Sequence, residues 1–179
     1  MKKKCVFLDR DGVLNTACVK NSKPYPPESF EKLTFVENAK SLTASLKNAG
    51  FLLICITNQP DFSRGLKSGA EINQINDEVK NQLQLDDLFC CLHDNKDNCN
   101  CRKPKPGMIY EAAQKWNIDL KRSFLIGDRK SDILAGISAG LITIFIDYNY
   151  AEPKPDNANF VCANLQQAVD FILKGRRNG

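Results

Sequence analysis

The sequence has no apolar stretch of membrane-spanning length. Runs such as Cys5 to Leu8 and Phe51 to Ile56 fall far short of the roughly 20 residues a bilayer requires. Nor is either charge in large excess: 25 Lys and Arg stand against 21 Asp and Glu, a net +4. That surplus is too mild to mark a nucleic-acid partner, and no basic stripe interleaved with aromatics is present. Met1-Lys2-Lys3-Lys4 has the charge of a signal-peptide start, but Asp9 ends the apolar run that follows after four residues. A cytoplasmic protein is expected, with no membrane and no nucleic acid among its partners. Histidine is nearly missing, His93 being the single one. There is no internal repeat and no low-complexity tract.

What is present is ordinary for a globular protein: 179 residues, 42% apolar and 26% charged. One domain is expected over residues 1–175, with a frayed tail at 176–179. The cysteines are unevenly placed. Cys5 and Cys55 lie inside apolar runs, where a thiol packs as a small hydrophobe, and Cys18 and Cys162 are isolated. Cys90, Cys91, Cys99 and Cys101 crowd around His93. Three thiolates and one imidazole, from Cys91, His93, Cys99 and Cys101, form a closed tetrahedral set for structural Zn²⁺ in a loop spanning 90–103. Cys90 faces the other way along its strand and is assigned to packing.

Buried strands are expected at Cys5 to Leu8, Phe51 to Ile56 and Ser123 to Ile126, a further strand at Ile142 to Ile146, a short strand candidate at Leu88 to Leu92 and an edge-strand candidate at Phe160 to Cys162. Helical spacing of apolar residues marks 36–48, 70–83, 108–116, 131–139 and 165–173. Alternating strands and helices imply an α/β fold with a doubly wound parallel sheet. Residues 16–32, rich in proline, are expected to lack regular structure and to wall the site.

Polar groups fall where strands end: Asp9 and Asp11 after the first, Thr57 and Asn58 after the second, Asp128 after the fourth, with Lys103 in a loop. Carboxylates, a hydroxyl and a lysine converging on one sheet edge suit phosphoryl transfer with Mg²⁺. Asp9-Arg10-Asp11-Gly12, Thr57-Asn58, Lys103-Pro104 and Gly127-Asp128, in that order, resemble the haloacid dehalogenase-like phosphatases over nearly the whole chain. The resemblance implies a Rossmann-like fold and a nucleophile at Asp9 that forms an aspartyl-phosphate. It implies an acid and then base at Asp11, phosphoryl-holding groups at Thr57 and Lys103, and Mg²⁺ held by Asp9, the Asp11 carbonyl and Asp128. Asp132 is either a supporting carboxylate or a helix N-terminal acid. The intervals between motifs leave no room for a separate cap domain.

The zinc loop before Arg102-Lys103-Pro104 resembles two branches of that superfamily, the heptose bisphosphate phosphatases and the histidinol-phosphate phosphatases. Thr57-Asn58-Gln59-Pro60 with Arg64-Gly65 is more similar to the first, which serves lipopolysaccharide precursor synthesis. Cations near the site, above all Arg102 and Arg129 with their bidentate forks, favour a substrate carrying a second phosphate over one carrying an ammonium. The expected partner is therefore a small phosphorylated sugar bound by Asn58, Arg102, Lys103 and Arg129, on a monomer. A binding module that kept the fold without turnover is the remaining alternative.

Overall fold

In a computed structural model, residues 2–175 of the chain are described. The first strand, β1 (Cys5–Leu8), is wholly buried. Its side chains alternate: Cys5 and Phe7 enter one core, Val6 and Leu8 the other. A strand covered on both faces belongs in the middle of a parallel sheet. Accordingly β1 pairs in parallel with β4 (Leu52–Asn58) on one side and β6 (Phe124–Gly127) on the other. β5 (Asp87–Cys91), β7 (Ile142–Ile146) and β8 (Phe160–Cys162) extend the sheet to the order β5-β4-β1-β6-β7-β8, every pair parallel.

Five helices cover the two faces: α1 (Ala39–Asn48), α2 (Gly69–Gln82), α3 (Gly107–Trp116), α4 (Lys130–Ser138) and α5 (Leu165–Lys174). Leu42 and Leu46 of α1 and Val169 and Ile172 of α5 bury one face; Met108 and Ile109 of α3 and Ala135 of α4 bury the other. Emptying such a position is expensive: Phe7→Ala would cost about 3–5 kcal/mol. α2 starts at a reciprocal cap, in which Ser68 Oγ accepts from the Glu71 amide while the Glu71 carboxylate accepts from the Ser68 amide. No helix among the described residues is long and apolar enough to cross a membrane.

Strand order reverses at β1, so crevices open on both sides of its C-terminal tip, where ligands of such sheets bind. Two expectations need correction. Residues 16–32 are not irregular throughout: β2 (Cys18–Lys20) and β3 (Lys23–Tyr25) form an antiparallel hairpin, followed by one 3₁₀ turn at Phe30–Lys32. Asn21 and Ser22 both adopt positive φ, +50° and +56°, which closes the hairpin in the tight two-residue turn that matches strand twist. Pro24 is tolerated because a two-stranded ribbon leaves its missing N–H on an edge. α1 begins at Ala39, because Asn38 turns left-handed at φ +59°. Lys174 closes α5, and 176–179 lie outside the described residues. Among the described residues the hairpin is the only sheet besides the main one.

Candidate active site

The crevice is a cavity of ≈ 420 Å³ walled by Asp9, Asp11, Thr57, Asn58, Arg102, Lys103 and Arg129. The hairpin supplies one wall through Lys23 to Pro26, as expected of that segment. The tips of β1 and β4, with the loops after β5 and β6, thus bring seven of the eight expected catalytic and substrate residues or Mg²⁺ ligands to one cavity. The eighth, Asp128, lies beneath it, 2% exposed.

Lys103 is the hub. Its Nζ lies 2.7 Å from Asp9 Oδ1, 2.7 Å from Asp132 Oδ1 and 2.8 Å from the Ile56 carbonyl. Three acceptors match an ammonium's three protons. Burial works against the lysine's charge, but the two carboxylates outweigh it and raise its pKa above the ordinary range. Asn58 fixes the same residue from the main chain: its Nδ2 donates to the Lys103 carbonyl at 3.0 Å, and its Oδ1 accepts the Lys103 amide at 3.1 Å. Both ends of the Asn58 amide are thereby used on Lys103. Asp132 takes both roles weighed for it, since its Oδ2 accepts the Arg129 amide and caps α4 while Oδ1 holds Lys103.

Asp9, Asp128 and Asp132 present carboxylate oxygens within 4.8 Å of one another. One ammonium among three acids leaves negative charge uncompensated. Burial, then the Asp132 and Asp11 charges, lift Asp9 to about 6 against the pull of Lys103, and burial pushes Asp128 well above the carboxylate range. Both Asp128 oxygens are buried and make no hydrogen bond of ordinary geometry. Unpaired buried oxygens in an acid cluster are what a hard divalent cation accepts. Gly12 belongs to this packing: at φ +92° it turns the chain, and a Cβ there would sit 2.0 Å from Asp128 Oδ2.

Cys91, His93, Cys99 and Cys101 form the second cluster. Its sulfurs are 3.2, 3.3 and 3.7 Å apart, and His93 Nδ1 lies 3.4 Å from Cys101 Sγ and 3.7 Å from Cys91 Sγ. A tetrahedral ion with arms of about 2.3 Å has ligand–ligand edges near 3.7 Å, so the set can hold a metal. Burial tends to raise the Cys99 thiol, but hydrogen bonds from Cys101 and from the Arg102 backbone bring it to about 7. Cys90 stands apart, near Asn76 and Arg10.

The rim differs from the expectation in one respect. Arg129 lines the cavity, but its fork is engaged by Glu152, at 2.9 and 2.5 Å. Arg64 is likewise gripped by Asp94. Arg102 hydrogen-bonds to neutral acceptors, Asn95 Oδ1 and the His93 carbonyl, with the Asp94 carboxylate near enough to feel its charge. Sequence reasoning gave no role to Arg10 or Gln59, which are buried beside Asp11; nothing in a one-dimensional pattern distinguishes them from a solvated arginine and a loop glutamine.

A parallel sheet whose strand tips deliver two aspartates, a hydroxyl, a lysine and a buried third aspartate defines a phosphoryl-transferring hydrolase. The chain belongs to the haloacid dehalogenase-like hydrolases: residues 100–168 match the HAD-hydrolase-like family. It is 34% identical over 176 residues to the D-glycero-beta-D-manno-heptose-1,7-bisphosphate 7-phosphatase of Helicobacter pylori strain J99, covering 94% of this chain and 97% of that one. It is 33% identical over 178 residues to the D-glycero-alpha-D-manno-heptose-1,7-bisphosphate 7-phosphatase of Campylobacter jejuni, covering 96% and 97%. The crystal structure of the D,D-heptose 1,7-bisphosphate phosphatase of B. bronchiseptica, complexed with magnesium and phosphate, superposes with a TM-score of 0.81 at 27% identity, covering 96% of this chain and 99% of that one.

Proposed function

We propose that this chain removes the 7-phosphate of D-glycero-D-manno-heptose 1,7-bisphosphate through an aspartyl-phosphate on Asp9. The observation that carries the reading is the Lys103 hub: one buried ammonium bridging Asp9 and Asp132 above Asp128, whose oxygens make no hydrogen bond of ordinary geometry. In this reading an Asp9 oxygen attacks phosphorus and the ester bond breaks as the acyl-phosphate bond forms. Asp11 gives its proton to the departing sugar oxygen, then takes one from the water that attacks phosphorus and releases Asp9. The Thr57 hydroxyl donates to the phosphoryl oxygens, Lys103 does so by exchanging one of its three acceptors for the substrate, and Asn58 acts by keeping Lys103 in place. Asp9, the Asp11 carbonyl and Asp128 would hold Mg²⁺, which when bound supplies charge neutralisation at the phosphoryl group.

Cys91, His93, Cys99 and Cys101 would hold Zn²⁺ and so fix the loop that carries Arg102 and Lys103. The remote 1-phosphate is assigned to Arg102. Arg129 contributes to it by exchanging Glu152 for the substrate anion. A substrate panel tests the reading: both anomers of the heptose bisphosphate, histidinol phosphate and p-nitrophenyl phosphate, each with Mg²⁺. The bisphosphate should give by far the highest kcat/KM. Histidinol phosphate as the better substrate would overturn the assignment, and no turnover of any ester would favour a binding module.

A further inference from the structure

The Asp11 carboxylate accepts from three side chains. Arg10 lies against it with Nε 3.2 Å from Oδ1 and Nη2 3.1 and 3.0 Å from Oδ1 and Oδ2. Asn15 Nδ2 reaches Oδ1 at 3.0 Å, and Gln59 Nε2 reaches Oδ2 at 2.7 Å. The same Gln59 nitrogen lies 2.8 Å from Thr57 Oγ1. One amide nitrogen therefore spans the acid and the hydroxyl that flank the phosphoryl site. Because Thr57 Oγ1 accepts from Gln59, its own proton is left to donate elsewhere.

This arrangement is costly for the fold. Arg10 and Gln59 are each 1% exposed, and Gln59 Oε1 is buried without a partner. Arg10 is braced from behind by Asn76 of α2, whose Oδ1 accepts from Nη1 at 2.7 Å. Apolar side chains would fill the space without a buried charge or an unpaired amide oxygen. A positional demand on Asp11 accounts for both.

We infer that Gln59 and Arg10 are positioning residues that set Asp11 Oδ2 at a fixed distance from Thr57 Oγ1. Asp11 then meets the bridging oxygen of the ester while Thr57 donates to a non-bridging oxygen of the same phosphoryl group. The inference rests on the phosphatase reading above. Burial works to raise the Asp11 pKa, but the Arg10 charge and the hydrogen bonds from Arg10, Asn15 and Gln59 hold it below the usual carboxylate range in the free site. Asp11 takes up a proton from water as the phosphoryl dianion binds beside it. As the bond between phosphorus and the bridging oxygen breaks, that oxygen receives this proton. A misplaced Asp11 therefore penalises leaving groups that need the proton and spares those that do not.

Gln59→Leu removes the spanning donor at similar volume, and Asn76→Leu loosens Arg10 without touching the cavity. Each full-length variant is assayed beside the unaltered protein on an alkyl phosphate and on p-nitrophenyl phosphate, whose phenolate departs with little help from an acid. On the alkyl ester kcat should fall about 100-fold, the scale of general acid catalysis, and on the nitrophenyl ester only about threefold, with KM nearly unchanged on both. Arg10→Lys, which keeps the charge but not the fork, should show the same split. Equal losses on the two esters, or none, would mean that these side chains only fill space, and would overturn the inference. Should Gln59→Leu not fold, Asn76→Leu reads the same ratio. If the unaltered protein hydrolyses neither ester, the phosphatase reading itself fails, an outcome distinct from an active protein whose variants show no split.

Discussion

On the cavity floor, Asp9, Lys103, Asp128 and Asp132 are 7% exposed or less, whereas the rim cations Arg64 and Arg129 leave 44% and 45% of their side chains in solvent. In the floor Asp9 and Asp128 directly follow strands, Lys103 is held from a loop and Asp132 from α4, and their charges interlock because buried charges without partners are prohibitive. The rim rides on loops. Its ion pairs, Arg129 with Glu152 and Arg64 with Asp94, hold cheaply and release cheaply in water. In the proposed reading the difference divides the labour: reaction chemistry sits where geometry cannot drift, and selection among substrates sits where partners can be exchanged.

Removing the proposed nucleophile is the hardest break. Asp9→Asn should cost on the order of 10⁴-fold or more in kcat. Its melting temperature should stay level or rise, because Asp132 and Asp11 already raise the Asp9 pKa and Lys103 keeps two other acceptors. Turnover by that variant, followed by phosphate release, would remove Asp9 from the mechanism.

The cysteine loop joins the two regions, since Arg102 of the rim and Lys103 of the floor directly follow Cys101. Elemental analysis should find about one Zn²⁺ per chain on this loop. Chelation, or Cys99→Ser, should lower the melting temperature by on the order of 10 °C, for a loss of about 3–4 kcal/mol. Turnover should drop with it, although no cysteine lines the cavity. A metal-free protein with unchanged melting and turnover would leave the four ligands as loop thiols and a histidine.

Asn58→Ala sharpens the contrast, because Asn58 stands at the floor but touches Lys103 through its backbone alone. A decrease of about 10- to 100-fold in kcat, with KM little changed, is expected from a loosened Lys103. A rise in KM alone would return Asn58 to direct substrate contact, the role its sequence position suggests.

The floor was largely legible in the sequence, and the rim was not. Strands β1, β4, β6 and β7 announce themselves as apolar runs, and the polar residues that end them face one crevice because parallel strands share a direction. The hairpin at 18–25 escaped detection because its register depends on Ser22 accepting a left-handed turn, which serine rarely signals. Arg10 was missed because its burial depends on Asn76, 66 residues away, although its fork grips the adjacent Asp11, and Gln59 because the carboxylate it reaches lies 48 residues away. Glu152, 23 residues beyond Arg129, gave no hint that it closes that fork.

On the rim, Arg102→Ala should lose about tenfold more kcat/KM on the heptose bisphosphate than on p-nitrophenyl phosphate, which has no second anion to grip. Equal losses would make Arg102 a support for the cysteine loop through Asn95 and the His93 carbonyl. Glu152→Gln, by opening the Arg129 fork, should lower the Ki of inorganic phosphate by a few-fold, as expected for one released charge-assisted contact.

The smallest effect is expected at the hairpin's outer edge. Lys20 pairs with Glu28 at 2.5 Å, but both side chains are 57% exposed and lie outside the cavity. A pair so open to water is screened, and holding two long side chains in register offsets what attraction remains. Lys20→Ala should therefore leave melting temperature and kcat/KM unchanged, while Lys23→Ala, across the ribbon from Lys20 and on the cavity wall, should raise KM for the bisphosphate. A loss at Lys20 as large as that at Lys23 would show that both strands of the hairpin, rather than β3 alone, contact the substrate.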